Sequence, residues 1–230
     1  MILAVTGLRR EARILAGPGV EVVLRGDDLA RRAVGKQGVI SIGIAGALAP
    51  ELKPGDWVVA DAVRDGDDLL ATDRDWTARL ASCLPAARRG VFVGGDTIAA
   101  TAAQKAELHR AAAAIAVDME SHRAARAAQR LGLPFAAARV ISDAAHRTLP
   151  PAARVGMRSD GNVDLPAVLR SLVVAPWQLP ALIRTGLEAE TAFRALLRGH
   201  RTLGPGLGGP IPGGPIPGGS YLGKLPPDMV

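Results

Sequence analysis

A single α/β domain built on a mostly parallel central sheet flanked by helices is the fold this sequence predicts, and three observations predict it. Short apolar runs alternate with longer Ala-, Leu- and Arg-rich segments of helical period, the pattern of strands joined by helical crossovers. Several runs stop at a glycine or an acidic residue, where an open parallel sheet places its chemistry. The 230 residues, 48% hydrophobic but only 3% aromatic, are enough for one sizeable core made of Ala, Val, Leu and Ile.

Residues 2–5 read as a buried strand that turns at Thr6-Gly7 into a helix over 9–15, stopped by Gly17-Pro18-Gly19. Such a turn offers backbone N–H groups to an anion, with Arg9 and Arg10 beside it; Glu11 sits in the first helical turn, where the helix dipole favours a carboxylate. A strand over 20–24 leads through Arg25-Gly26-Asp27-Asp28 into a short helix ending near Gly35. A third strand over 39–44 runs into GIAGALAP (43–50), a tight loop in which Gly43 and Gly46 permit close backbone approach. The dinucleotide fingerprint GxGxxG is absent, which disfavours a Rossmann-type dehydrogenase. Lys53-Pro54-Gly55-Asp56 has the order of a type II turn and precedes a strand over 57–60. Residues 64–75, rich in Asp and Arg, read as a loop; a helix around 76–83 and a strand over 91–93 follow. Gly94-Gly95-Asp96-Thr97-Ile98 is the next strand-end loop, and 102–113 is helical.

The stretch 116–146 is a strand–helix–strand unit. Apolar residues up to Val117 give way to Asp118, Met119 and Glu120; a helix over 121–130, with Arg123, Arg126 and Arg130 on one solvent-facing side, ends at Gly132 and Pro134. A second apolar run, 135–141, then ends in Ser142-Asp143. The two acidic clusters are expected at one edge of one sheet. After Pro150-Pro151, 165–174 and 179–197 read as helices broken at Pro176 and Pro180, either packed on the core or forming an amphipathic element that faces a membrane or a lipid. The duplicated GGPIP unit after Gly204 marks a tail expected to be disordered. The expected organisation is an α/β domain over 1–164, a helical extension over 165–203 and a Gly/Pro-rich tail over 204–230.

A net charge of +6 and a pI of about 10.4 allow anionic partners without selecting one, and a proteome rich in Arg and Ala gives the same balance. Cys83 is the single cysteine, and His109, His122, His146 and His200 are scattered, so neither a disulfide framework nor a metal cluster is expected. The N-terminus lacks the features of a signal peptide. No run reaches the ~18–20 apolar residues of a spanning helix. A cytoplasmic protein is expected, with peripheral contact at the inner membrane as the option the C-terminal helices leave open.

Six pieces stand in order along the first two-thirds of the chain: Gly7-x-x-x-Glu11 after a strand, Gly43-x-Ala45-Gly46-x-Leu48, Pro54-Gly55-Asp56 before a Val-rich strand, Gly94-Gly95-Asp96, Val117-x-Met119-Glu120 and Arg139-x-Ile141-Ser142-Asp143. With these the chain resembles the purine nucleoside phosphorylase/nucleosidase superfamily, close to the methylthioadenosine/S-adenosylhomocysteine nucleosidases. It looks most like the hopanoid-associated phosphorylase (adenosylhopane nucleosidase) branch, to which 165–174 and 193–206 are also similar. The resemblance implies a nucleoside phosphorylase-like fold and cleavage of the N-glycosidic bond of an adenosine-type nucleoside, soluble or lipid-linked, with release of adenine.

Breaking that bond passes through a ribosyl cation-like state while electrons flow into the base, so an acid is needed at the purine and negative charge at the sugar. By resemblance the acid is Asp143, supported by Ser142; Glu120 accepts the ribose hydroxyls and faces the cationic sugar; Glu11 positions an attacking water. Met119 walls the sugar, Ile98 flanks the base, and Gly7, Ala45, Gly46 and Asp118 complete the substrate-binding set, Asp118 standing where relatives have Glu. Phosphorolysis would instead use phosphate as co-substrate, cradled by Gly7, Arg9, Arg10 and Arg25-Gly26; the two reactions stay open. No cofactor and no metal is implied. The short interval over 19–44 leaves room for a bulky group beyond the sugar, and relatives that complete their sites across a subunit boundary imply a homo-oligomer. Competing readings are a methylthioadenosine or S-adenosylhomocysteine nucleosidase and a basic module binding a membrane or nucleic acid. Low aromatic content and otherwise idle strand-end acids argue against nucleic acid. A hydrolase triad of Ser142, Asp143 and His146 is disfavoured because sequence neighbours rarely converge in that geometry.

Overall fold

The computed structural model describes residues 1–24, 28–155 and 164–210; Arg25 and Gly26 of the expected phosphate cradle, and most of the Gly/Pro-rich tail, lie outside the described residues. The chain runs β1 (Ile2–Thr6), α1 (Arg9–Leu15), β2 (Val20–Leu24), α2 (Leu29–Ala33), β3 (Gly38–Ala47), β4 (Trp57–Asp65), β5 (Asp68–Ala71), α3 (Arg74–Cys83), β6 (Arg88–Gly94), α4 (Ala102–Ala112), β7 (Ala114–Asp118), α5 (Ser121–Arg130), β8 (Phe135–Asp143), α6 (Pro151–Val155), α7 (Leu165–Val174) and α8 (Leu179–Leu203).

The eight strands form one sheet in the order β2-β1-β3-β7-β6-β4-β5, and β8 closes a ring by pairing with both β3 and β4. Five pairings are parallel and three, β3–β7, β4–β5 and β4–β8, are antiparallel, so the sheet is mixed with a parallel majority. β3 makes the closure. It runs parallel to β8, shifts register between Ala45 and Gly46, and then pairs Gly46 and Ala47 antiparallel with β7. The expected 43–50 loop is therefore extended strand as far as Ala47. Its glycines serve close approach within a strand rather than a turn: a side chain on Gly43 would run into Glu11 Oε1 and lie 2.7 Å from Arg139 Nη1. β7 and β8 are consequently not neighbours. Gly46 lies between them, paired with Val117 on one side and Asp143 on the other, and this brings the two acidic strand ends to one place.

Other boundaries move for local reasons. The 64–75 stretch is not a loop: Gly66, with φ of +62°, turns β4 into β5, and Asp73 caps α3 by accepting from the Trp76 N–H at 2.8 Å. The Pro54-Gly55 turn forms as expected, with Gly55 at φ +97° and the Asp56 N–H donating to Lys53 O at 3.0 Å. Pro180 lies in the first turn of α8 and does not break it, because a proline there gives up only an N–H that has no helical partner.

The core has two layers. On one, Ala124, Ala125, Ala127 and Ala128 of α5 pack with Leu3, Val5, Val39, Phe92 and Phe135. On the other, Ala192, Ala195 and Leu196 of α8 pack with Ile40, Ile42, Trp57, Val59 and Val140. Small residues bring these helices close: a side chain at Gly199 would enter the Trp57 ring. The helices expected as an extension are therefore joined to the α/β core by α8. The second half of α8 is core, and Leu207, placed in the tail by sequence, is buried while its carbonyl accepts from Trp76 Nε1 at 3.1 Å. The arginines of α5 are not simply solvent-facing either, since Arg123 binds Asp96 and Arg126 binds Asp65 and Asp68.

Candidate active site

At the β1–α1 corner Glu11 is 1% exposed. Its Oε2 accepts from Thr6 Oγ1, from the Gly7 N–H at 3.0 Å and from the Leu8 N–H at 2.7 Å; Oε1 accepts from the Ile44 N–H at 2.7 Å. Attraction to the helix dipole is a small part of this: the carboxylate joins the start of α1 to β3. The amides expected to hold phosphate are therefore already satisfied by the protein. Arg10 is committed too, paired with Glu190 at 2.6 Å and stacked 4.2 Å from the centre of the Phe193 ring. Arg9 is exposed on α1.

Behind this corner lies Arg139, fully buried in the middle of β8. Nε binds Asp118 Oδ2 at 3.0 Å, and Nη2 donates to Ser41 Oγ at 2.6 Å and lies 3.4 Å from Glu120 Oε2. Burial works against the guanidinium charge, but Asp118, Glu120 and Glu11 outweigh it and hold the pKa above the ordinary arginine value. Its Nη1 is a buried donor with no hydrogen-bond partner among the described residues.

Asp118, expected in the substrate-binding set, accepts four hydrogen bonds from the protein. Oδ1 accepts from the Glu120 N–H at 2.9 Å and the Ser121 N–H at 2.7 Å, while Oδ2 accepts from Ser121 Oγ and Arg139 Nε. It caps α5 and anchors Arg139, so a substrate finds neither oxygen open. Burial alone would raise its pKa; Arg139 and the Ser121 and Glu120 donors overcome that and lower it. Glu120, the N-cap of α5 with no side-chain capping bond, lies against Gly7, where a side chain would come within 2.5 Å of Glu120 Oε1. Met119 is half-buried beside it.

The other end of the site is the tip of β8. Asp143 is 7% exposed; Oδ1 accepts from Ser142 Oγ at 2.7 Å and Oδ2 from Lys105 Nζ. Ser142 Oγ also reaches Ala45 O at 3.1 Å. A side chain on Gly46 would lie 3.4 Å from Asp143 Oδ2. Half-buried Ile98 rides the loop between β6 and α4, which is tied to β7 by Gly95 N–H to Asp118 O at 3.0 Å. The same loop is tied to the segment after β8 by Leu149 N–H to Ala100 O at 2.8 Å. His146 is exposed, and the partners of Ser142 Oγ are Asp143 Oδ1 and Ala45 O.

The structure therefore gathers Gly7, Glu11, Glu120 and Arg139 at one end and Ala45, Gly46, Ser142 and Asp143 at the other. Sequence reasoning passed over Thr6, Ser41, Arg139 as a side chain and Lys105. Arg139 and Ser41 carried a signal, a polar residue in the middle of an otherwise apolar strand; Lys105 carried none.

Acidic strand ends of one closed α/β sheet meet across Gly46, which gathers the carboxylates that acid–base chemistry requires. The family model for the Phosphorylase superfamily matches residues 28–157, more than half of the chain, and the chain belongs to that superfamily. Solved structures of similar fold include the 5'-methylthioadenosine/S-adenosylhomocysteine nucleosidase of Helicobacter pylori, with TM-score 0.60, 17% identity, and coverage of 88% of this chain and 95% of that one. The corresponding nucleosidase of S. pneumoniae gives 0.59 at 17%, covering 88% and 99%. Futalosine hydrolase of Helicobacter pylori gives 0.58 at 17%, covering 87% and 96%. At this identity the likeness is one of fold.

Proposed function

We propose that the protein hydrolyses the N-glycosidic bond of an adenosine-type nucleoside, releasing adenine, and that the nucleoside is lipid-linked, as in adenosylhopane of hopanoid biosynthesis. The observation that carries the cleavage is the pair of strand ends set across Gly46, with buried carboxylates at one end and a hydrogen-bonded carboxyl at the other. Glu120 faces the cation-like ribose, Asp143 protonates the purine, and Ser142 holds Asp143 in place. Glu11, by its place at the β1–α1 corner beside Gly43, would position the attacking water. Water is favoured over phosphate because the Gly7 and Leu8 amides already hold Glu11, and because phosphate would meet carboxylates there.

The lipid-linked substrate is supported by the outer face of α7 and the first half of α8. Leu169, Val173, Val174, Trp177, Ile183 and Leu187 are exposed there, Val173 by 83% and Trp177 by 78%. No acidic residue occurs from 165 to 187, while Arg170 and Arg184 flank the apolar side chains, a combination suited to an acidic bilayer surface. No single described helix is long and apolar enough to cross a membrane. The same α8 joins both ends of the site, through Glu188 to Arg147 just after β8 and through Glu190 to Arg10 beside Glu11. The enzyme would act from the cytoplasm as a peripheral protein.

The test incubates the protein with a detergent-dispersed adenosylated lipid and with methylthioadenosine, each with and without phosphate, and follows adenine. Release without phosphate, with the lipid preferred, is expected. Absence of release in all four arms overturns the cleavage, strict dependence on phosphate overturns water as nucleophile, and a higher kcat/KM for methylthioadenosine replaces the lipid with a soluble substrate.

A further inference from the structure

Lys105 is the one residue that α4 buries. It is 1% exposed, and Lys105 and Arg139 are the two buried Lys or Arg side chains among the described residues. Burying an ammonium is costly unless it is paired, and this one is paired at the tip of β8: Nζ donates to Asp143 Oδ2 and, at 3.0 Å, to Ala144 O. Asp143 is thereby held by both oxygens, Oδ1 by Ser142 and Oδ2 by Lys105. The Thr101–Gln104 capping box fixes the start of the helix one turn before Lys105, so the ammonium is delivered from a rigid element.

We propose that Lys105 is a positioning residue for leaving-group protonation, a role that rests on Asp143 being the acid. As the C1'–N9 bond breaks, its electron pair passes into the purine, and the proton on the Asp143 carboxyl moves to the purine's imidazole nitrogen. The Asp143 carboxylate that remains already faces the Lys105 ammonium, which gives up no proton in this step. Asp143 is reprotonated from water as products leave. Charge on the product side of the proton transfer is thus met by a group in place beforehand, which favours the transition state over the bound substrate.

The experiment compares two leaving groups, adenine and 4-nitrophenolate, on the same riboside, because nitrophenolate departs without protonation. Lys105→Met is expected to lower kcat for adenine release about 30- to 100-fold with KM little changed, and to leave nitrophenolate release within about threefold. In an Asp143→Asn background Lys105→Met is expected to cost nothing further. Equal losses with both leaving groups, or losses that multiply in the double variant, mean that Lys105 only bolts α4 to β8 and overturn the proposal. Should the Met variant melt below assay temperature, Lys105→Gln is read by the same criteria. An Asp143→Asn enzyme that releases adenine at the wild-type rate overturns the role of Asp143 and this one with it, whereas a normal Asp143→Asn defect beside an indiscriminate Lys105 defect removes this one alone.

Discussion

The two ends of the site carry different charge. Around Arg139 stand three buried carboxylates, Glu11, Asp118 and Glu120, so acids outnumber the one guanidinium. At the tip of β8 one carboxylate, Asp143, faces one ammonium, Lys105. Glycosidic cleavage divides charge the same way, since the sugar becomes cationic and the base gathers electrons. Surplus carboxylate suits the first and a proton source backed by a cation suits the second. The difference also separates two kinds of polar burial. Asp118 pairs with Arg139 and caps α5, whereas Glu120 Oε1 lies close against Gly7.

The severest way to break this arrangement is to remove its organiser. Arg139→Met strands Asp118 and draws Glu120 and Glu11 into mutual repulsion; chemical denaturation should show a loss of about 3–5 kcal/mol. Unaltered stability would mean that the carboxylates do not depend on Arg139. A smaller effect follows from acid. Asp118 titrates below its ordinary 3.8 in the folded protein, so the folded state binds a proton less readily than the unfolded chain. Its stabilisation is complete above the ordinary carboxylate range and is lost as pH falls through the folded value. Urea midpoints measured from about pH 5 down to about pH 3 should fall in the wild type, and Asp118→Asn should start lower at neutral pH and fall less. An identical slope in the variant would assign the acid sensitivity to other groups. The smallest effect on the site belongs to the outer face of α7 and the turn that follows it. Val173→Ser with Trp177→Ser should weaken co-sedimentation with acidic vesicles about tenfold and shift stability by no more than about 0.5 kcal/mol. Adenine release from methylthioadenosine should not change. If the pair instead converts a dimer to a monomer in solution, the face is a self-contact rather than a membrane surface.

Much of the sheet could be read from sequence because apolar runs bounded by Gly, Pro and Asp are local signals, and β1, β2, α1 and α7 lie where those signals put them. Tertiary requirements hid the rest. Gly43 and Gly46 look like turn residues, yet both are in β3: Glu11 and Arg139 occupy the space a side chain at Gly43 would need, and Gly46 pairs with Val117 and Asp143. Asp118 looked like a shortened substrate ligand because its four donors come from the start of α5 and from the distant Arg139. The closure by β8 depends on a register shift at Ala45/Gly46 that no run of residue types announces. Lys105 was unreadable for the same reason: on a largely exposed helix nothing in the local pattern marks the one turn that meets Asp143.

The division of charge is tested most directly by giving Glu120→Gln and Asp143→Asn the same two leaving groups, adenine and 4-nitrophenolate. Loss of sugar-end charge should lower kcat about 10²- to 10³-fold for both substrates, because both form the same ribosyl cation. Loss of the base-end acid should lower adenine release by about 10²-fold and spare nitrophenolate. Two variants with the same ratio of effects across the two leaving groups would contradict the assignment of Glu120 to the sugar and Asp143 to the base.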